Sequence, residues 1–106
     1  MQSTKKYRVT VDEIAVDMLD EHADFLAQVS FDAAVRLLSQ FEKIIARLAD
    51  NPFQFPFADE LDVPYISPKL YRKCLFEERY KALFRLGENE AHVVAVIDSR
   101  MGNRGI

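Results

Sequence analysis

The chain has 106 residues, 49% of them apolar and 29% charged, with a net charge of −3. That is enough for one core and one domain, residues 1–106, with the composition of a soluble globular protein. No apolar run reaches bilayer-spanning length and the amino terminus MQSTKKYRV lacks an apolar signal core, so a cytoplasmic location with no membrane partner is expected. A single cysteine, Cys74, rules out an internal disulfide. With only His22 and His92 beside it, neither a metal site nor a cofactor is expected.

The charge is unevenly placed. Residues 1–62 carry 12 acids and 6 bases, whereas residues 63–106 carry 5 acids and 8 bases. A positive field over the second part suits an anionic partner, while the acidic first part weakens general binding to nucleic acid.

In chain order, Lys5 to Val11 sets Tyr7, Val9 and Val11 against Lys6, Arg8 and Thr10, the alternation of a strand with one buried face. Thr10 followed by Glu13 resembles a capping box, which predicts a helix from about Asp12. Ile14, Met18, Leu19, Phe25, Leu26 and Val29 form its apolar stripe, and Asp17, Asp20, Glu21 and Asp24 its acidic outer face. His22, at the margin of the stripe, reads as a half-buried packing residue. Ser30 caps a second helix, with Asp32 in its first turn. Phe31, Ala34, Val35, Leu38, Phe41, Ile45 and Leu48 recur along it, broadened by Leu37 and Ile44. Asn51-Pro52 stops it by Asp50. The two helices make a hairpin whose common face needs a sheet to cover.

Pro52 to Pro68 holds all four prolines and no period, and is expected to be an ordered loop anchored by Phe53, Phe55, Phe57, Leu61 and Tyr65. Three antiparallel strands follow. Leu70 to Phe76 is the first, turned by Glu77-Glu78. In the next, Tyr80, Ala82, Phe84 and Leu86 share one face and Lys81, Leu83 and Arg85 the other. Gly87 to Glu90 is a polar reversal, and Ala91 to Ile97 is apolar on both faces, as in a strand covered on both sides. The fold class is α+β: first strand, helical hairpin, then a meander completing one four-stranded sheet. Arg72, Lys81, Arg85 and Arg100 recur along the meander, with Lys73 beside Arg72 and Arg104 in the tail SRMGNRGI. There is no glycine-rich phosphate loop, no Ser/His/Asp set and no helix-borne pair of metal ligands.

This order of elements resembles the RelE/ParE superfamily of toxins from type II toxin–antitoxin systems. The likeness is carried by Tyr71-Arg72, by Tyr80-Lys81-Ala82-Leu83-Phe84-Arg85, by Val94-Ala95-Val96-Ile97-Asp98-Ser99-Arg100 and by the helix start VDEIAVDML. It covers nearly the whole chain. The resemblance implies a growth-inhibiting toxin neutralised by a cognate antitoxin, in one of two branches. RelE-like members cleave messenger RNA on the ribosome; ParE-like members block DNA gyrase. Under the first, the resemblance places Arg72, Lys81 and Arg100 as the catalytic cations. Cutting RNA through a 2′-hydroxyl also needs a base and a proton donor. Cys74 stands where such nucleases keep a second lysine, and Met101 to Ile106 has no tyrosine or histidine where they keep the acid/base group.

The ParE-like, plasmid-stabilising reading is therefore preferred. In it Arg72, Lys73, Lys81, Arg85, Arg100, Arg104, Phe53, Phe55 and Phe57 form the surface for target or antitoxin. An acidic antitoxin segment suits the positive part of the chain, and the meander's edge could accept an added strand. The competing expectation is that Arg72 and Arg100 pair with Asp98 or Glu78 and only brace the sheet. A non-toxic binding module is the third alternative.

Overall fold

The computed structural model describes residues 7–59, 62 and 69–99. Strand β1 (Arg8–Val11) leads into helix α1 (Glu13–Ala27), helix α2 (Phe31–Asp50) and a 3₁₀ turn over Pro52–Gln54. Strands β2 (Arg72–Phe76), β3 (Tyr80–Gly87) and β4 (Glu90–Asp98) complete a four-stranded sheet in the order β1-β4-β3-β2. The meander is antiparallel, as its hairpin turns require, and β1 lies parallel to β4. The helical hairpin carries the chain from β1 at one edge of the sheet to β2 at the other and covers one face of it.

The second helix forms where its signals place it. Ser30 Oγ accepts a hydrogen bond from the Ala33 amide at 3.2 Å, and Asn51 Oδ1 takes the Phe53 amide at 3.1 Å as Pro52 opens the 3₁₀ turn. Helix α1 starts at Glu13, but the expected capping box does not form. Asp12 is the N-cap residue and its side chain makes no capping bond. His92 engages Thr10 and Asp12 instead: its Nε2–H donates to the Asp12 carboxylate at 3.0 Å, and its Nδ1 is hydrogen-bonded to the Thr10 hydroxyl. Thr10 and His92 are register neighbours on β1 and β4, so the network ties the edge strand and the helix start together.

Helix α1 is rotated from its expected apolar stripe, whereas α2 buries most of the residues expected of it. The buried face of α1 is Ala15, Leu19 and Ala23, while Ile14, Phe25 and Val29 are exposed. The two alanines let the α1 backbone come close to β4, which turns the large residues outward. In α2 the buried stripe is Ala34, Leu37, Phe41, Ile44 and Leu48, and Phe31, Val35 and Leu38 lie outside it. His22 packs as expected, its Nε2–H donating to the Val96 carbonyl at 2.9 Å and its ring centroid 5.0 Å from that of Tyr80.

The register decides what β4 can present. Leu83 pairs with Ala95 and Phe84 with Val93, so Val94 is an extra residue on β4. The bulge switches the side-chain alternation: Ala91 and Val93 face the helices before it, Val96 and Asp98 after it. Doubled apolar character in AHVVAVI reflects this switch as well as partial cover on the second face. At the β3–β4 turn it is Asn89, at φ 58°, that takes the left-handed conformation; Gly87 ends β3 without it. Phe84, Leu37, Leu48, Val93 and Val96 are among the largest fully buried side chains. Cys74 is buried beneath the sheet, and burial pushes its thiol up to about 11 against an opposing pull from Arg47.

Candidate functional site: the cations of the sheet

Alternation along the strands sorts the basic side chains before any contact is considered. Arg72 stands opposite the buried Phe84, on the helix-facing side. Lys73 pairs with Leu83, Lys81 with Leu75 and Ile97, and Arg85 with His92, all on the outer side. The predicted catalytic cations Arg72 and Lys81 thus occupy opposite faces of the sheet. Arg100 and Arg104 lie outside the described residues, as do Leu61 and Tyr65.

On the inner side, Arg72 is held by the proline-rich loop. Its Nη1 donates to the Phe55 carbonyl at 2.6 Å, and its guanidinium carbon lies 4.1 Å from the Phe57 ring centroid and 5.3 Å from that of Phe53. Neither Asp98 nor Glu78 pairs with Arg72; Asp98 binds Arg79, whose Nη2 lies 2.8 Å away. The loop backbone is fixed as well. The Ala58 amide donates to the Tyr71 carbonyl at 2.8 Å and the Lys73 amide to the Pro56 carbonyl at 2.9 Å. A bridge between Phe57 and Arg72 occupies this stretch of the β2 edge, so the edge is not open along its whole length to an added strand. Phe53 and Phe57 remain exposed. Phe55 does not: it is buried in edge-to-face contact with Phe84, ring centroids 5.8 Å apart, which removes it from any binding surface.

On the outer side, two lysines converge on one acid. Asp62 is buried, with its Oδ1 accepting from Lys81 Nζ and its Oδ2 lying 2.9 Å from Lys73 Nζ. Its Oδ2 also accepts the Asp59 amide at 2.8 Å, which closes a turn around the carboxylate. Burial alone would raise the Asp62 pKa. Hydrogen bonds from Lys81, the Asp59 amide and Lys73 outweigh it and hold the carboxyl well below the usual carboxylate range. The two ammonium groups are thereby committed to an internal anion. Arg85 is exposed and forms no ion pair among the described residues.

Asp62 carried no signal in the sequence, being one acid in an aperiodic segment. The Asp12–His92–Thr10 network was equally hidden, because it depends on β1 lying beside β4. Among the described residues no group of three or more His, Cys, Asp or Glu could hold a metal ion, and no described helix is long and apolar enough to cross a membrane.

No protein-family model matches the chain, and no curated protein does. Among solved structures it is similar to a chain of the chromosomal ParDE TA system from P. aeruginosa. The two are 15% identical, the match covers 90% of this chain and 98% of that one, and the TM-score is 0.67. The conserved hypothetical protein HP0894 from Helicobacter pylori is also similar, at 13% identity, 87% and 93% coverage and a TM-score of 0.48, too low to add weight. The likeness to the ParDE chain is one of fold: a helical hairpin over a four-stranded mixed sheet, the α+β arrangement expected from the sequence.

Proposed function

We propose that this chain is the toxin of a type II toxin–antitoxin module, acting in the cytoplasm by binding a macromolecular target such as DNA gyrase and neutralised by a cognate antitoxin. The shared fold supports the general reading. The choice of protein contact over RNA cleavage rests on the engagement of Lys73 and Lys81 by the buried Asp62.

A nuclease that drives a 2′-hydroxyl onto the neighbouring phosphate needs cations free to meet the developing phosphorane charge. Lys81 is already neutralised by Asp62, and Arg72 belongs to the other face, held by Phe55, Phe53 and Phe57. A phosphate on the outer side would have to displace a carboxylate with three hydrogen-bond donors. A protein partner has no such requirement. It can use the exposed rings of Phe53 and Phe57 and the exposed Arg85 as they stand.

Expression of the chain in a bacterium, with and without the product of the neighbouring reading frame, tests the proposal. Colony formation should collapse when the chain is made alone and recover on co-expression. Normal growth in both arms would reject toxicity.

A further inference from the structure

An open cleft of about 280 Å³ lies between α1 and the end of the sheet where β3 begins and β4 stops. Glu21, His22 and Phe25 line it from the helix, and Arg79, Tyr80 and Asp98 from the sheet end. Glu21 and Phe25 are four residues apart, so the helix sets them one turn from each other on the same side. Phe25 is 57% exposed, whereas Tyr80 is buried and packs against the His22 ring. Three rings thus border the cleft.

Its charges do not balance. Arg79 is committed to Asp98, with Nε at 2.9 Å and Nη2 at 2.8 Å from one carboxylate oxygen, and its guanidinium carbon lies 5.2 Å from the Tyr80 ring centroid. Glu21 is exposed and forms no ion pair among the described residues. His22 donates its Nε2–H to the Val96 carbonyl at 2.9 Å, which leaves Nδ1 as the acceptor of the neutral ring. Helix α1 carries no lysine or arginine, and Asp17 and Asp24, one turn to either side of Glu21, add to the negative field. The base of the adjoining groove, Arg36, is paired with Glu77 at 2.8 Å.

We infer that this cleft receives an arginine side chain supplied by another polypeptide. Glu21 offers the guanidinium an anion, and the exposed Phe25 ring offers it a flat apolar face. Arginine suits the cleft better than lysine because a planar guanidinium is less strongly hydrated than an ammonium and stacks on a ring. The volume lies just below the range of about 300–1,000 Å³ for small-molecule sites, and suits one inserted side chain. An acidic side chain would meet Glu21 and find Arg79 already taken. The inference rests on the reading that the chain works through protein contact, and gives one anchor of that contact its chemistry. It also reverses, at this end of the molecule, the partner charge expected from the basic part of the sequence.

The probe is N-acetyl-arginine N-methylamide, compared with the same compound built on citrulline, lysine or glutamate. Each is titrated into the ¹⁵N-labelled full chain at near-physiological salt and followed by amide chemical shifts. The arginine probe should shift the amides of Glu21, His22, Phe25, Arg79 and Asp98 and bind with a millimolar Kd, as a ligand of its size allows. The citrulline probe keeps the shape without the charge and should bind about tenfold more weakly, with lysine between the two and glutamate not binding. Glu21→Gln should weaken arginine binding about tenfold and flatten its salt dependence. Phe25→Ala should weaken it several-fold. Both positions lie on the surface, and circular dichroism checks that each variant stays folded.

The inference is overturned by equal binding of the arginine and citrulline probes, by binding of neither, or by arginine binding that ignores both substitutions. Shifts spread along the acids of α1 and absent from Arg79 and Asp98 would overturn it as well, by reducing the effect to general attraction. Tighter binding of free arginine than of its blocked form would assign the cleft to a metabolite and overturn the protein partner. Capture of the arginine probe without growth arrest would leave the cleft standing and remove the toxin reading. Growth arrest without capture would do the reverse.

Discussion

Asp62→Ala is expected to cost about 3 kcal/mol of folding stability at neutral pH, the scale of loss when one partner of a buried ion pair is removed. The substitution leaves the two ammonium groups of Lys73 and Lys81 next to one another with no counter-charge. Adding Lys81→Met should recover part of the loss, because it removes one half of the resulting repulsion. Urea unfolding of the wild type, both single variants and the double variant gives the coupling directly.

The pH dependence has a definite sign. The folded-state pKa of Asp62 is depressed, so its contribution is complete above the unfolded carboxyl value of about 3.9 and fades only as the pH falls below that. The stability gap between wild type and Asp62→Ala should be constant from neutrality to about pH 5 and narrower at about pH 3.5. A gap that widens on acidification would contradict the ion-pair assignment.

Phe84→Ala is expected to cost about 3–5 kcal/mol, the range for deleting a buried aromatic ring and leaving a cavity. Phe84 is fully buried at the middle of β3, opposite Val93 beside the bulge, and its ring meets Phe55 edge-on. Against a total stability of about 5–15 kcal/mol, that loss is large. Phe84→Leu keeps most of the volume and should cost much less, about 1–1.5 kcal/mol. The effect should also travel. Phe55 carries the carbonyl that holds Arg72, so loss of its ring partner should speed hydrogen exchange at the Ala58 and Lys73 amides, which join the loop to β2. Unfolding midpoints for the two variants, with exchange at those amides, check both parts. Equal midpoints, or unchanged exchange in Phe84→Ala, would show that Phe55 and Phe84 are not coupled.

Local signals carried most of the fold. Ser30 and Asn51-Pro52 bound α2 because capping and proline geometry act over a few residues. Tyr80, Ala82, Phe84 and Leu86 define one face of β3 because side-chain alternation is a property of the strand itself. Features set by distant pairing were not legible. The seat of β1 beside β4 joins residues about 80 positions apart, and the Thr10–Glu13 spacing suggested a local cap that His92 displaced. The bulge at Val94 left no mark in a run where every residue but one is apolar.

The buried face of α1 was misread for a different reason. Large apolar residues were read as core, but Ala15 and Ala23 set the contact because small side chains permit close approach. Ile14 and Phe25 of the same helix lie at the surface as a result. The candidate site shows the same division. Basic residues and their strands could be read from the sequence, whereas their availability depended on Asp62 in an aperiodic loop. The resemblance grouped Arg72 and Lys81 with Arg100 as cations of one site; strand register puts Arg72 and Lys81 on opposite faces.

That internal neutralisation is open to one decisive assay. Purified chain is added to a reconstituted translation system and the messenger RNA on the ribosome is mapped for breaks. With Lys73 and Lys81 bound to Asp62, the messenger should remain intact at chain concentrations that arrest growth in cells. Ribosome-dependent cleavage that disappears in Lys81→Met would contradict this, and would place a phosphate where Asp62 now sits.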